Sequence, residues 1–462
     1  MRLFNKSGLF LPIKGEPAAS LPSEAEYTQT DRIGLLGVPD FPGLQPSMMV
    51  QEGDQVQAGQ LLWTDRKNPA LRVNAPVAGT VSLIDRGARR ILKSLCIERD
   101  ANQEPPAASA RLKAENPQKI RELLIDSGLW TSFRERPYDK VPQADSAPIA
   151  ILVTAADLRP LAFDPAPLIH RHTEDFVAGL EILLQLTEGE VLVSELAHAK
   201  LPVPANARVR KLLIEDPYPA SLPGLVMHRF CPPTLQHKVW YLDWQDVIAM
   251  ARLLRKGERD LERYVALTGM FDRPRITKLI PGADLAQVAV SELSGDRLQQ
   301  NWRIVSGSVL YGHLAVSMPA HQHWQPGISQ WLGRYHAQVC ALKEGGPSVF
   351  ANWLRPGWNQ FSNLNIFASS LIPKKTFELN TLRHGADRGL IPLEIYQEML
   401  PLEIPVMPLL KALIVGDTEK AQQLGCLELG EEDLACCTFA CPSKYDYSAA
   451  LRANLDRIER EG

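Results

Sequence analysis

Three of the chain's seven cysteines crowd into six residues, Cys436, Cys437 and Cys441, and Pro442 follows the last of them. Bacterial-type ferredoxins hold an iron–sulfur cluster with a C-x2-C-x2-C-x3-C-P run, and Cys437-x3-Cys441-Pro442 reproduces its second half. Stepping three and six residues upstream of Cys437 should give two more thiolates, but Leu434 and Glu431 stand there. A four-iron cluster then lacks half its ligands. Cys436 and Cys426 are the available substitutes. Cys436 adjoins Cys437, however, and neighbours on a helix point about 100° apart. Cys426 lies upstream of the charged GEED run. A structural zinc site needs four closed ligands, and no histidine is close in sequence. The expectation is a degenerate motif that binds no metal, with Cys437 and Cys441 one helical turn apart and packed inward beside Leu434. A cluster shared with another subunit is the rival.

Two other stretches carry chemistry on paper. Gly345 to Lys375 has Arg355 as its only formal charge before the closing lysines, and it holds Phe350, Trp353, Leu354, Trp358, Phe361, Leu364 and Phe367. A long segment of Gly, Pro and Asn with so many aromatics reads as core, as a docking surface or as the apolar wall of a ligand site. Arg383 and His384 follow in TLRHGADRGLIP, where they are placed to donate hydrogen bonds. HRHTED, His170 to Asp175, has metal-like residues but fits a helix start better, with Thr173 as cap and acid in the first turn. No G-x-S-x-G, H-E-x-x-H, G-x-G-x-x-G or P-loop pattern occurs.

Composition narrows the class. A chain of 462 residues is long enough for roughly three domains. Its 45% hydrophobic and 22% charged content predicts a soluble globular protein. Net charge is −3 with signs mixed along the chain, so nucleic acid is not an expected partner. Four cysteines within Cys426–Cys441 suit a reducing cytoplasm better than a secreted disulfide framework. MRLFNKSGLFLPIKGEP breaks its apolar patches with charge, so no signal peptide is expected. No run of about eighteen apolar residues predicts a membrane span.

Four units must position these residues. Met48 to Ile84 has the rhythm V-x-x-G-D-x-V-x-x-G-Q-x-L followed by V-x-A-P-x-x-G-x-V, with Gly53 and Gly79 at turns. It resembles the biotinyl/lipoyl barrel-sandwich fold. The tip where a lipoyl domain carries its lysine reads DRKNPA, which leaves Asn68 or Pro69 in that place and Lys67 as an ordinary turn residue. From Asn116, a cap followed by Pro117, strand and helix patterns alternate through the buried-strand run PIAILVTA to VWYLDWQDVIAMARLLRKG. That predicts a Rossmann-like layered α/β domain. RYVALTGMFDRPRITKLIPGADLAQVAV and WRIVSGSVLYGH predict a compact β-grasp module, and helices with proline-rich loops are expected from His336. The boundaries read as 1–104, 105–257, 258–335 and 336–462.

The order of these units, with GLFLPIKGEP, LLGVPDFPGLQPSM, TDRKNPALRVNAPVAGTVSLIDRGARR and CTFACPSKYDY, resembles the A subunit family of the bacterial sodium-translocating NADH:quinone oxidoreductases. More distantly the chain is similar to the C subunit of the Rnf complex and to the flavin-binding subunit of respiratory NADH dehydrogenase. The fold this implies is a multidomain α/β protein with an SLBB-like β-grasp module. The complex it implies uses NADH, flavins, an iron–sulfur centre and ubiquinone, and exports sodium. The flavin-binding relatives continue the helix at Ile120–Leu129 into a glycine-rich cradle, whereas Trp130, Phe133, Arg134 and Arg136 follow Gly128 here. The expectation is therefore a cofactor-free peripheral subunit on the cytoplasmic face of the inner membrane, beside membrane-embedded subunits. It carries no catalytic residue of its own and makes no contact with sodium. Trp353, Trp358, Phe361, Arg383 and His384 are the candidates for a quinone or partner surface. The alternatives are a flavo-iron–sulfur module with altered ligands and a pure scaffold.

Overall fold

Short strands joined by glycine turns build the first unit: β1 Arg32–Leu36, β2 Pro46–Met48, β3 Gln55–Val56, β4 Leu61–Asp65, β5 Arg72–Asn74, β6 Gly79–Arg86 and β7 Leu92–Arg99. The computed structural model describes residues 8–18, 27–100, 116–295, 300–318, 325–326, 329–346, 356–362 and 366–461. Strands β1-β7-β6-β3 form one sheet and β2-β4-β5 the other, around fully buried Leu62, Trp63, Val81, Leu92, Leu95 and Ile97. The β4–β5 tip is clamped to the next unit. Buried Asn68 donates through Nδ2 to the carbonyls of Val141 at 2.8 Å and Pro142 at 3.1 Å, with exposed Lys67 beside it. A tip tied in this way cannot swing.

The second unit is a five-stranded sheet in the order β11-β10-β9-β12-β8. Its strands are β8 Arg134–Arg136, β9 Ala150–Thr154, β10 Glu190–Leu196, β11 Val209–Ile214 and β12 Val239–Asp243, and only β8 is antiparallel. Central β9 is almost wholly apolar and buried, as a parallel strand covered on both faces must be. Helices α1 Pro117–Asp126, α2 Ala166–Arg171, α3 Thr173–Leu183, α4 Pro223–Phe230 and α5 Trp244–Lys256 complete it. The Asn116 side chain accepts from the Lys119 amide at 2.8 Å, so α1 starts where its cap predicts. Thr173 does not cap α3. Because α2 runs straight into α3, the Thr173 hydroxyl donates back to the His170 carbonyl at 2.8 Å.

A six-stranded sheet follows, ordered β14-β13-β18-β15-β16-β17. It comprises β13 Arg263–Gly269, β14 Arg275–Leu279, β15 Trp302–Ser306, β16 His313–Met318, β17 Gln325–Pro326 and β18 Gln338–Lys343, and α6 Leu285–Glu292 packs on it. The stretch expected to be helical from His336 therefore begins with a strand. QVCALK is buried except for its lysine and sits between β13 and β15. Beyond it, α7 Ile395–Met399, α8 Val406–Val415, α9 Thr418–Gln423, α10 Ala435–Ala440 and α11 Tyr447–Glu461 share a core with Leu9, Leu11 and Ile13. The Gly8 amide donates to the Glu398 carbonyl and the Phe377 amide to the Pro12 carbonyl, so the N-terminal segment is stitched to the C-terminal helices.

Candidate functional site

The cysteine turn is a closed core. Cys426, Cys436, Cys437 and Cys441 are all fully buried, as is Leu434. A short 3-10 turn, Glu431–Leu434, leads into α10, so Cys437 and Leu434 face the same interior. Cys437 Sγ lies 4.0 Å from the Tyr396 carbonyl, and Cys441 Sγ lies 3.4 Å from the Tyr447 hydroxyl. Burial pushes the Cys426 thiol up to about 12 and raises those of Cys436 and Cys437. Burial also works to raise Cys441, but the Tyr396 and Tyr447 hydroxyls hold it below its ordinary value. Glu431, in a ligand place of the ferredoxin run, pairs with Arg452 Nε at 2.6 Å. Among the described residues, no group of three or more His, Cys, Asp or Glu side chains is arranged to hold a metal.

The arginines after Gly128 are not a solvated loop. Arg136 is 3% exposed and lies 3.5 Å from Asp433, whose carboxylate accepts the Gly430 amide at 2.7 Å. Burial nevertheless pushes Asp433 up to about 6. Arg134 pairs with Asp139 at 3.1 Å and stacks over Tyr335. Trp130 and Phe133 turn inward against Trp240, with ring centroids 5.2 to 5.3 Å apart, and Trp130 Nε1 donates to the Pro142 carbonyl. Bulky rings fill the volume behind Gly128.

The residues expected to form a quinone or partner surface fall in two places. Trp353 lies outside the described residues. Trp358 is 54% exposed, and Ile366 and Leu371 beside it in sequence are exposed too. Phe361 turns inward onto Phe377, with centroids 5.9 Å apart, and Lys375 binds the Trp358 carbonyl and sits over the Phe377 ring. Arg383 and His384 are on a different loop, tied to the cysteine turn by Ala386 N–H to the Pro442 carbonyl and Ser443 Oγ to the Gly389 carbonyl. Arg383 pairs with Asp387, and His384 is an exposed turn residue.

A cleft of about 940 Å3, mouth included, opens where the first three units meet. Leu36, Phe41, Leu129, Ile280 and Leu332 supply apolar wall. Arg72, Arg259, Arg263 and Arg334 supply cations, and most are already engaged. Arg263 pairs with Asp246 at 2.5 Å, Arg72 with Asp126 at 2.6 Å, and Arg334 Nη2 donates to Ser132 Oγ. Arg259 gives one bond, from Nη2 to the Ser127 carbonyl at 3.1 Å, while its buried Nη1 has no acceptor among the described residues. Burial, and then the Arg334 charge, lower its pKa. Asp40, accepting the Arg334 amide, is pushed up to about 7 by burial. No sequence motif marks this site, because its lining runs from Gly34 to Arg334.

Barrel-sandwich start, parallel α/β layer, second mixed sheet and helical end define a multidomain α/β protein. Residues 4–100 match the family model of the NqrA N-terminal barrel-sandwich hybrid domain, and residues 115–259 that of the NqrA second alpha/beta domain. The chain is similar to the A subunit of the Na(+)-translocating NADH-quinone reductase of Hahella chejuensis, 41% identical over 99% of both chains. Those of Cellvibrio japonicus and Pasteurella multocida are 41% and 39% identical over the same share. The chain belongs to this family, the A subunits of Na(+)-translocating NADH-quinone reductases. Among solved structures, an NAD+-reducing NiFe hydrogenase in the air-oxidized state covers 50% of this chain and 47% of its own at 15% identity, with a TM-score of 0.36, too distant to carry an argument.

Proposed function

We propose that the chain is a peripheral subunit, on the cytoplasmic face of the membrane, of a complex that oxidises NADH, reduces ubiquinone and exports sodium. It contributes to the quinone end and carries no flavin or cluster of its own. Family membership along 99% of the chain carries this reading. No helix among the described residues is long and apolar enough to cross a membrane, in keeping with a peripheral position beside membrane-embedded subunits. The second unit is then a Rossmann-like layer and the third an SLBB-like β-grasp module.

A quinone head needs apolar walls and one or two hydrogen-bond donors. The three-unit cleft supplies both, with Arg259 Nη1 and Arg72 Nε as uncommitted donors among the described residues. The cleft thus takes over the quinone role expected of the aromatic segment, and exposed Trp358 belongs to the surface that meets a partner protein of the complex. Electrons come from a partner.

Titrating a short-chain ubiquinone analogue against the purified chain, with tryptophan fluorescence as readout, tests the site. Saturable quenching is expected, and Arg259→Met should weaken it about tenfold, the worth of one hydrogen bond. Quenching that does not saturate favours a pure scaffold. Flavin or cluster absorbance in the ultraviolet–visible spectrum of the purified chain overturns the cofactor-free reading in favour of the altered flavo-iron–sulfur module.

A further inference from the structure

The β6–β7 hairpin ends in a five-residue turn, Gly87 to Ile91, closed by the Gly87 amide donating to the Ile91 carbonyl at 2.8 Å. Two consecutive arginines occupy left-handed backbone there, Arg89 at φ 55° and Arg90 at φ 60°. Glycine or asparagine takes that conformation at least cost, and another L-residue is strained in it. The side chains of Arg89 and Arg90 are exposed and make no hydrogen bond or ion pair among the described residues. Arg86 and Lys93 flank them, and the one carboxylate of the stretch, Asp85, is drawn to Lys93 at 3.8 Å. Four cations thus stand against two acids, Asp85 and Glu52, the second accepting the Ile84 amide at 2.7 Å, in a chain whose net charge is −3. Two apolar side chains are also left in water on this hairpin, Ile91 at 44% and Leu83 at 49% exposure.

We propose that this hairpin tip is a lipid-facing surface that binds the anionic phospholipid headgroups of the membrane on which the complex sits. Exposed aliphatic residues among arginines fit the boundary between headgroups and acyl chains, where the cation seeks phosphate and the apolar side chain seeks the tails. Three of the four cations are arginine, whose planar fork matches phosphate oxygens in pairs. An acidic protein surface would satisfy the charges but would leave Ile91 and Leu83 without a role. The proposal rests on the peripheral-subunit reading for its setting, but its chemistry can be tested without that complex.

The test is co-sedimentation of the full chain with vesicles of phosphatidylcholine alone or mixed with phosphatidylglycerol. Binding is expected only to the anionic vesicles, and it should fall as salt is raised. Arg89→Gly/Arg90→Gly removes two charges and relieves the left-handed strain, so the variant should melt at the parent's temperature or above it. It should bind anionic vesicles about thirtyfold more weakly, from a loss of about fivefold at each arginine. Ile91→Asp should also weaken binding while leaving the arginines in place. A parent chain that ignores anionic vesicles overturns the proposal, as does a double variant that binds like the parent. Loss of the double variant from the assembled complex with no vesicle binding by the parent would overturn it in favour of a protein contact. A parent that binds vesicles but never co-purifies with the other subunits leaves the lipid surface standing and removes the peripheral-subunit reading instead.

Discussion

Around Cys437 every side chain of chemical interest is shut away from water, whereas around Arg259 charged groups of three units line an open cleft. The first region is dense in reactive residue types and is built as core: thiols beside Leu434, Tyr396 and Tyr447, with acids such as Glu431 and Asp433 committed to Arg452 and Arg136. The second has no cysteine, no motif and no contiguous signature, yet it holds a buried guanidinium nitrogen with no acceptor among the described residues. Both regions keep buried nitrogens unbonded among the described residues, Arg136 Nη1 and Arg452 Nη2 in the first and Arg259 Nη1 in the second, so what separates them is access: the first is packed shut and the second opens to a ligand. A buried donor left unbonded costs free energy until something accepts from it.

The comparison breaks most sharply at Trp130. Trp130→Ala should cost about 3–5 kcal/mol in urea unfolding, since it removes a fully buried ring between Phe133 and Trp240. A cost below about 1 kcal/mol would mean that the region behind Gly128 is a plastic ligand wall instead of core. Cys437→Ser is expected to cost about 1–3 kcal/mol, because a hydroxyl replaces sulfur in a fully buried apolar site. All seven thiols should resist an aqueous thiol reagent in the native chain and react once it is unfolded, because all are buried. Fast reaction of any one of them in the native state would reopen the closed-core description.

A pH-dependent effect concerns Asp40 on the cleft wall. Its folded pKa is raised to about 7 by burial, so its contribution to stability is complete below the unfolded value near 4 and is lost as pH rises towards 7. Asp40→Asn mimics the protonated form. The variant should match the parent within about 0.5 kcal/mol near pH 4 and pull steadily ahead of it between about pH 4 and 7, as read from urea midpoints. Equal pH slopes for both proteins would place the Asp40 carboxylate in water and the cleft wall elsewhere.

Much of the architecture is legible in the residues themselves. The Gly and Val rhythm of Met48–Ile84 announces the barrel sandwich, Asn116-Pro117 announces α1, and the apolar run at Ala150 announces the central parallel strand. Those signals are local, because turn chemistry, capping and periodicity depend on a few adjacent residues. The errors are equally physical. Thr173 loses its capping role because α2 abuts α3, and the strand at Gln338 is hidden because a short buried run gives no period that separates strand from helix.

Sequence alone determined the module order, the degenerate ferredoxin run and the family, since each is written in contiguous residues. Tertiary structure alone decided that Arg136 is buried and Arg134 largely covered, that Asn68 ties the barrel tip to the second unit, and that residues between Gly34 and Arg334 share one cleft. The reason is range. A cap or a turn is settled within a few residues, whereas desolvation and unmet hydrogen bonds depend on which distant surfaces close over a side chain.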